Sequence, residues 1–403
     1  MKNNNVERAI QALQKGKMIL LTDHPDRENE ADIVFPAENI TPEIMNFIIR
    51  HTSGIVCLSL TPEHLERLRL PLLVAADQNT TKHRTPFTMP IDAREGITTG
   101  VSAHDRAKTI QTVMQANVQP EALVRPGHVY PLQAKIGGVL ERAGHTEGAI
   151  DLVRLAGFKP AAILCEVMNA DGTMARGDAL KTFAKQHQLP LLSIAELVHY
   201  RLKHEDQIKE KTSAKISLEA YGDFTISVIQ EKYCLKEHLI LSKLAVDPTK
   251  PLLVRIHSAC TTGDIFHSTR CDCHQQLHYS LKKISEEGGL LIYLEQEGRG
   301  IGLLNKIKAY ALQDQGLDTV EANEQLGLPI DQREYYIAAQ ILRDLQLTSI
   351  RLLTNNPQKI SGLTRYGFPE VIREVMPVFY HAHNRRYLQA KKTKLAHWIT
   401  GEV

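Results

Sequence analysis

Aromatic residues are scarce in this chain, 5% of 403 with a single Trp, and neither sign of charge dominates: 48 Lys and Arg against 46 Asp and Glu, for a net +2. A balance that close supplies no field for nucleic acid or an anionic membrane, and neither partner is expected. Long apolar runs are missing as well. Runs such as residues 18–21 and 290–294 are strand-sized and far short of a membrane span. The opening MKNNNVERAI lacks the apolar core of a signal peptide, so a cytoplasmic chain is expected. No internal repeat, no low-complexity tract and no GxxxxGKS or GxxxxGKT phosphate loop occurs. Cysteine is sparing, six in all, and in a reducing compartment these are thiols or metal ligands rather than a disulfide framework.

What remains is an ordinary globular composition, 43% hydrophobic and 23% charged, on a chain long enough for two domains of about 150–250 residues each. Residues 6–200 alternate helical and strand patterns: an amphipathic stretch at 6–15, the strand MILL, and two helix starts with Thr41 and Thr61 as N-caps and proline next. GIVCLSL and AAILCEV are apolar runs of the kind buried in an α/β sheet, and burial in a strand is the plain reading of Cys57 and Cys165. Residues 201–215, RLKHEDQIKEKTSAK, are charge-dense and nearly free of large apolar side chains, which reads as a helix tail running into a linker. Strands resume from Phe224, and helical patterns follow at 275–287, 301–315 and 331–346, then the strand IRLLTNN. The expectation is an α/β (α+β) protein of two domains, 1–204 and 205–403, each a mixed sheet packed with helices.

Three segments of the first half concentrate chemistry. TDHPDRENEAD places Asp23, Asp26, Glu28, Glu30 and Asp32 within ten residues, with Arg27 among them. Carboxylates so dense repel one another unless a hard cation or a bound substrate compensates, the alternative being a solvated acidic loop. RPGHVYPL and ERAGHTEG set His128 and His145 in glycine-containing turns, and Glu166 ends a strand. In the second half Cys260, Cys271 and Cys273 are spaced C-x10-C-x-C. Three thiols point to an open, catalytic zinc site; with His257, His267, His274 and His278 close by, a closed Cys3His structural site is the alternative. A buried strand, the turn EGRGIG and a helix follow, presenting backbone N–H groups and Arg299 to an anion. Asp331 and Glu334 have capping-box spacing, which predicts Arg333 at a helix N-terminus.

The first half resembles the 3,4-dihydroxy-2-butanone 4-phosphate synthase family through DRENE, SGIVCL, GITTGVSA-DR, RPGHV-PL, GHTE and DGTMAR. That family turns ribulose 5-phosphate into the butanone phosphate and formate. The resemblance implies Mg²⁺ or Mn²⁺ on Glu28 and His145. It implies substrate contacts from Arg27, Glu28, Asp32, Arg142, Ala143, Gly144, His145, Thr146 and Glu166, proton transfer by His128 and Glu166, and closure of Cys57 and the loop 80–88 over the site. His24, Pro25 and Ala31 depart from the family's acidic loop, and Arg84, Pro86 and Pro90 from its flexible one.

The second half is similar to GTP cyclohydrolase II through RIHS-C-TGD, RCDC, QEGRGIGLLNKI-AYALQDQG and RLLTNNP-K. That family converts GTP to 2,5-diamino-6-(5-phosphoribosylamino)pyrimidin-4-one, formate and pyrophosphate. The resemblance implies one Zn²⁺ per subunit on Cys260, Cys271 and Cys273. GTP is then bound by Arg255, Ile256, His257, Ser258, Ala259, Gln276, Glu297, Gly298, Arg299, Thr319, Thr354 and Lys359. Tyr310 is implied as proton donor, Asp331 as base and Arg333 as the group acting at the α-phosphate. Ala259 stands where the family has Glu, and His274 where it has Gly, a histidine able to close the zinc's open position. Both families form homodimers, and the His128 position is expected to reach a neighbouring subunit's site. Two rivals stay open: one half is catalytically degenerate, the first more than the second, or the chain is a silent nucleotide-binding paralogue.

Overall fold

The computed structural model describes residues 5–244, 250–381 and 383–399. The chain divides into two compact units between His204 and Glu205. The first contains seven strands: β1 (Ile19–Thr22), β2 (Ala31–Pro36), β3 (Cys57–Leu60), β4 (Ile91–Ala93), β5 (Leu123–Gln133), β6 (Ala161–Glu166) and β7 (Leu191–Ser193). They form one mixed sheet in the order β4-β5-β3-β6-β2-β1-β7, with β1–β7 and β3–β5 parallel and the other neighbours antiparallel. Leu20, Ile33, Phe35, Ile163 and Cys165 pack into one core, while the alternate residues Ile19, Leu21, Val34, Ala162 and Leu164 pack into another. A sheet covered on both faces explains why these strands read as unbroken apolar runs. Thr41 and Thr61 cap the helices Pro42–Thr52 and Pro62–Arg67, their hydroxyls accepting from the N–H groups of Ile44 and His64.

The second unit has strands β8 (Ile208–Leu218), β9 (Gly222–Glu231), β10 (Glu237–Lys243), β11 (Leu252–Ser258), β12 (Gly289–Leu294), β13 (Ser349–Leu353) and β14 (Glu370–Glu374). The order is β14-β13-β11-β12-β10-β9-β8. The first four are parallel and the last three are an antiparallel meander joined to them by the antiparallel β10–β12 pair. Each unit is thus a mixed sheet packed with helices, the architecture expected from the sequence. Among the described residues no helix is long and apolar enough to cross a membrane.

Two expectations are corrected. Residues 201–215 are not a linker: the helix Ile194–His204 ends inside them and the edge strand β8 takes up the rest. A largely exposed edge strand needs no apolar face, and its Lys209, Lys211 and Lys215 discourage pairing with another chain. Arg201, read as part of a polar tail, is wholly buried, its Nη1 on Asp151 at 2.7 Å and on the Gly137 carbonyl at 2.8 Å. The helix expected from residue 331 begins at Tyr336, so Arg333 is not at a helix N-terminus. Asp331 spends its carboxylate on Arg333 instead, accepting from its backbone N–H at 3.0 Å and its Nε at 2.9 Å. Cys57 is buried at 2% exposure in a strand covered on both faces, as its apolar run indicates.

Candidate active sites

In the first unit the acidic loop between β1 and β2 is organised around Asp23, which is buried and accepts from the backbone N–H groups of Glu28 and Glu30, each at 2.9 Å. Arg27 bridges Asp23 at 3.0 Å and Glu28 at 2.5 Å. Opposite them His145 opens the helix His145–Leu155, its Nδ1 3.4 Å from Glu28 Oε2. The potential ligand atoms of Asp23, Glu28 and His145 lie within 4.8 Å of one another, so Asp23 joins the pair named from the sequence. Asp26, by contrast, points into solvent. The His145 hydrogen bond holds the Glu28 carboxyl down at about 2 against the opposing effect of burial. Burial would depress His145, but Asp32, Glu28 and Asp23 outweigh it and push the imidazole up to about 9. Burial pushes Asp32 up to about 7. His145 Nε2 and Asp32 Oδ1 are both buried without a hydrogen-bond partner. Hard oxygen donors plus one imidazole with an unsatisfied nitrogen suit a divalent cation.

The neighbouring strands bring Glu166 opposite Asp32 in the β2–β6 register, its Oε2 accepting from Ile55 N–H at 2.9 Å. Arg142 is clamped on the buried Glu147 at 2.6 Å and reaches the His83 carbonyl at 3.2 Å, tying the loop 83–90 to the start of the His145 helix. Thr146 is buried, its carbonyl accepting from Ser59 Oγ at 2.8 Å; Gly144 caps the helix and Ala143 is exposed. His128 is not part of this cluster within the chain: its Nδ1 pairs with Asp92 at 2.7 Å. Arg84 holds φ +48, a left-handed conformation costing roughly 1–2 kcal/mol without glycine. Asp92, Glu147 and Arg176 were missed by sequence reasoning, whereas Asp23 was singled out only as one of the five clustered carboxylates. Arg176 pins the acidic loop by donating to the Asn29 carbonyl at 3.1 Å, and only its place in DGTMAR hinted at it.

In the second unit, loops at the carboxyl ends of three parallel strands converge, the usual place for a ligand in such a sheet. Residues after β11 carry Cys260, those after β12 the glycine turn, and those after β13 Thr354 and Lys359. The sulfurs of Cys260, Cys271 and Cys273 gather within 4.8 Å, Cys260 and Cys271 at 3.8 Å. Gly263 makes room: a Cβ there would stand 2.9 Å from Cys271 Sγ and 3.1 Å from Cys260 Sγ. His274 is not in the thiol group; its ring packs 3.7 Å from His267 and 4.1 Å from His278, centroid to centroid. Hydrogen bonds from the other two thiols, aided by the Lys306 ammonium 3.1 Å away, draw Cys260 toward thiolate against burial. Three soft donors around an open face fit zinc.

The thiols form one wall of a cleft whose other walls include Arg255, His257, Ser258, Ala259, Gln276, Glu297, Gly298, Arg299, Tyr310, Thr319, Arg333, Thr354 and Lys359. Ile256 and Asp331 are not among its lining residues. Ile256 is buried in β11 and offers its carbonyl to Lys359 Nζ at 2.6 Å, while Asp331 stands behind Arg333. Gly298 and Arg299 both adopt positive φ, +60 and +63, which turns the chain sharply. Both Nη atoms of Arg299 are buried with no hydrogen-bond partner. Burial, with Arg255, Arg333 and Lys391 crowding it, pushes Lys359 well below its usual range. Arg333 and Lys391 are paired with Asp331 and Asp272, which leaves the unsatisfied guanidinium of Arg299 as the group in this cleft that calls for an anion. Burial also pushes the Tyr310 phenol up, keeping it protonated, and its hydroxyl lies 3.3 Å from Thr262 Oγ1. Lys306, missed in the sequence, joins Cys260 to Glu297 at 2.8 Å; its place one helical turn before Tyr310 was the available signal.

Residues 7–200 match the family model of 3,4-dihydroxy-2-butanone 4-phosphate synthase, and residues 209–376 that of GTP cyclohydrolase II. Riboflavin biosynthesis protein RibBA of Aquifex aeolicus is 49% identical over 400 residues, covering 98% of each chain. The chain belongs to the bifunctional riboflavin biosynthesis proteins. RibBA of Nocardia farcinica is 47% identical over 402 residues, covering 99% of this chain and 96% of its own. Among solved structures, RibBX from A. baumannii, a two domain 3,4-dihydroxy-2-butanone 4-phosphate synthase, matches with a TM-score of 0.68 at 34% identity, covering 93% of this chain and 99% of that one. The first unit carries the synthase family's sequence and the second the cyclohydrolase family's, and the chain is an enzyme of riboflavin biosynthesis.

Proposed function

We propose that both halves are active, residues 1–204 as the synthase domain and 205–403 as the cyclohydrolase domain. The observation that carries the second half is the cleft itself, where three thiols face a guanidinium with unsatisfied N–H groups. A silent nucleotide-binding paralogue would need the cations but not the thiols. When bound, zinc on Cys260, Cys271 and Cys273 supplies Lewis acidity and an activated water. The chain's own residues do the rest. Arg255, Gln276 and Glu297 hold the purine end of GTP near the thiols, and Arg299, Arg333, Thr354 and Lys359 receive the triphosphate. Tyr310 keeps its proton at neutral pH and donates it as the ring opens. Asp331 fixes the guanidinium of Arg333, which we weigh as an electrostatic clamp on charge developing at the α-phosphate as pyrophosphate leaves.

In the first half Glu28 and His145, joined by Asp23, are the ligand set for Mg²⁺ or Mn²⁺, which when bound stabilises enediolate charge. Arg27 and Arg142 orient ribulose 5-phosphate, and Glu166 and Asp32, facing each other across two strands, hold and move protons. His128, oriented by Asp92 and 42% exposed, is free to serve a partner subunit in a homodimer. The cytoplasm is the expected compartment. One assay on the full chain tests both halves: formate from ribulose 5-phosphate with Mg²⁺, and formate plus pyrophosphate from GTP with zinc. Formate from only one substrate assigns the other half as degenerate; GTP bound but unconsumed, with no formate from the sugar, makes the chain a silent paralogue.

A further inference from the structure

The cyclohydrolase family match ends at residue 376, but the chain continues into the helix Arg385–Thr393. Tyr387, Lys391 and His397 from this stretch wall the thiol-lined cleft. Three latches tie the stretch to the cysteine-bearing segment. Thr269 Oγ1 lies 3.1 Å from His383 Nδ1, Gln275 Nε2 lies 2.7 Å from His381 Nε2, and Lys391 Nζ donates to Asp272 Oδ1 at 2.8 Å. The last differs in kind from the others. Asp272 stands between two of the three cysteines and is 2% exposed. Its second oxygen accepts from Gln276 Nε2 at 2.7 Å, and Gln276 Oε1 accepts from Arg255 Nη2 at 2.6 Å. A relay therefore runs from the ammonium of Lys391 through Asp272 and Gln276 to the guanidinium of Arg255, which also lines the cleft. A carboxylate buried beside thiolates is repelled unless a cation offsets it, and Lys391 is the cation in contact. The helix itself does not depend on that contact. Leu388 and Asn384 are fully buried, and the Asn384 side chain donates to the Phe379 carbonyl and accepts from His381 N–H, both at 2.9 Å.

We propose that Lys391 is a positioning residue of the cyclohydrolase site: it holds Asp272, and through it the Cys-Asp-Cys turn and the Gln276–Arg255 pair, in the geometry that binds zinc and GTP. The proposal rests on the zinc reading of the three thiols. The test uses the zinc-loaded full chain with K391M, K391R, D272N and K391M/D272N. Zinc retention against a competing chelator is measured alongside KM and kcat for GTP, with formate from ribulose 5-phosphate as the fold control. K391M is expected to weaken zinc binding or GTP turnover by about 10- to 100-fold, with the synthase activity unchanged. K391R keeps the charge and restores most of the loss. K391M/D272N removes both charges and regains zinc retention to the level of D272N alone. K391M with zinc retention and GTP turnover within about twofold of the unaltered chain, or an equal loss of both activities, overturns the proposal. An unaltered chain that holds no zinc overturns the parent reading together with this one, and that result is visible before any variant is made.

Discussion

In the synthase half, one loop of ten residues and the first turn of one helix make the metal-ligand cluster: Asp23, Arg27, Glu28 and His145 contact one another directly. In the cyclohydrolase half the same task is spread over the ends of β11, β12 and β13, two helices and the C-terminal stretch. The first is a hard oxygen site held by short backbone hydrogen bonds, the second a soft sulfur site held by buried charges that neutralise one another over long sequence separations. A locally closed site tolerates change in the rest of its domain. A distributed one is sensitive to substitutions far from its metal in sequence, because each buried charge loses its partner when another is removed.

The largest expected effects separate the halves outright. Cys260→Ser or Cys271→Ser should reduce GTP-dependent formate release to background and empty the zinc site, while formate from ribulose 5-phosphate persists. Glu28→Gln or His145→Ala should do the reverse. Loss of both activities in either set would mean that the two sites are not independent. Next, Arg299→Ala removes charge-assisted contacts to the triphosphate and should lower kcat/KM for GTP on the order of 10- to 100-fold. Weaker inhibition by free pyrophosphate should accompany the change, and unaltered pyrophosphate inhibition would assign the anion elsewhere. Gly263→Ala is expected to destabilise the zinc-loaded second unit by about 1–3 kcal/mol through crowding of the thiols, read as a lower melting temperature that zinc no longer raises.

The smallest effect tests the local scaffolding of the synthase half. Asp105, at 1% exposure, accepts from Thr98 Oγ1 at 2.7 Å and Gly100 N–H at 3.1 Å, and the Thr98 hydrogen bond leads in holding its carboxyl down at about 2. Gly100 packs against the Asp92–His128 pair, where a Cβ would meet Asp92 Oδ2 at 2.2 Å. A depressed carboxyl stabilises the fold above its unfolded value near 3.8 and loses that contribution as pH falls through about 2. Asp105→Asn should therefore lower the unfolding midpoint at pH 5–7, and the gap from the unaltered chain should close as the pH approaches 2. A pH-independent gap would place the effect in packing rather than in charge.

The thiol triplet, the acidic loop, His145 and the glycine turn were legible because each is a short run of unusual residues. The capping threonines were legible because local hydrogen bonding follows local sequence. Asp92, Glu147, Lys306 and Lys391 were not, since each earns its place only through a partner at least five residues away and in most cases far beyond that. Strand β8 was misread for a related reason: the charge-rich residues 201–215 look like a linker until the neighbour that pairs with them is known.

By itself the sequence determined the two-part architecture, the families of the halves and the donor types of both metal-ligand clusters, since periodicity, motif and side-chain chemistry are local properties. Only the tertiary structure decided that Asp23 joins Glu28 and His145, that His274 stands apart from the thiols, that Asp331 faces Arg333 rather than the cleft, and that the C-terminal helix completes a wall of the second site. Those outcomes depend on which buried charges find partners when distant strands and helices pack, and no window along the chain contains both members of such a pair.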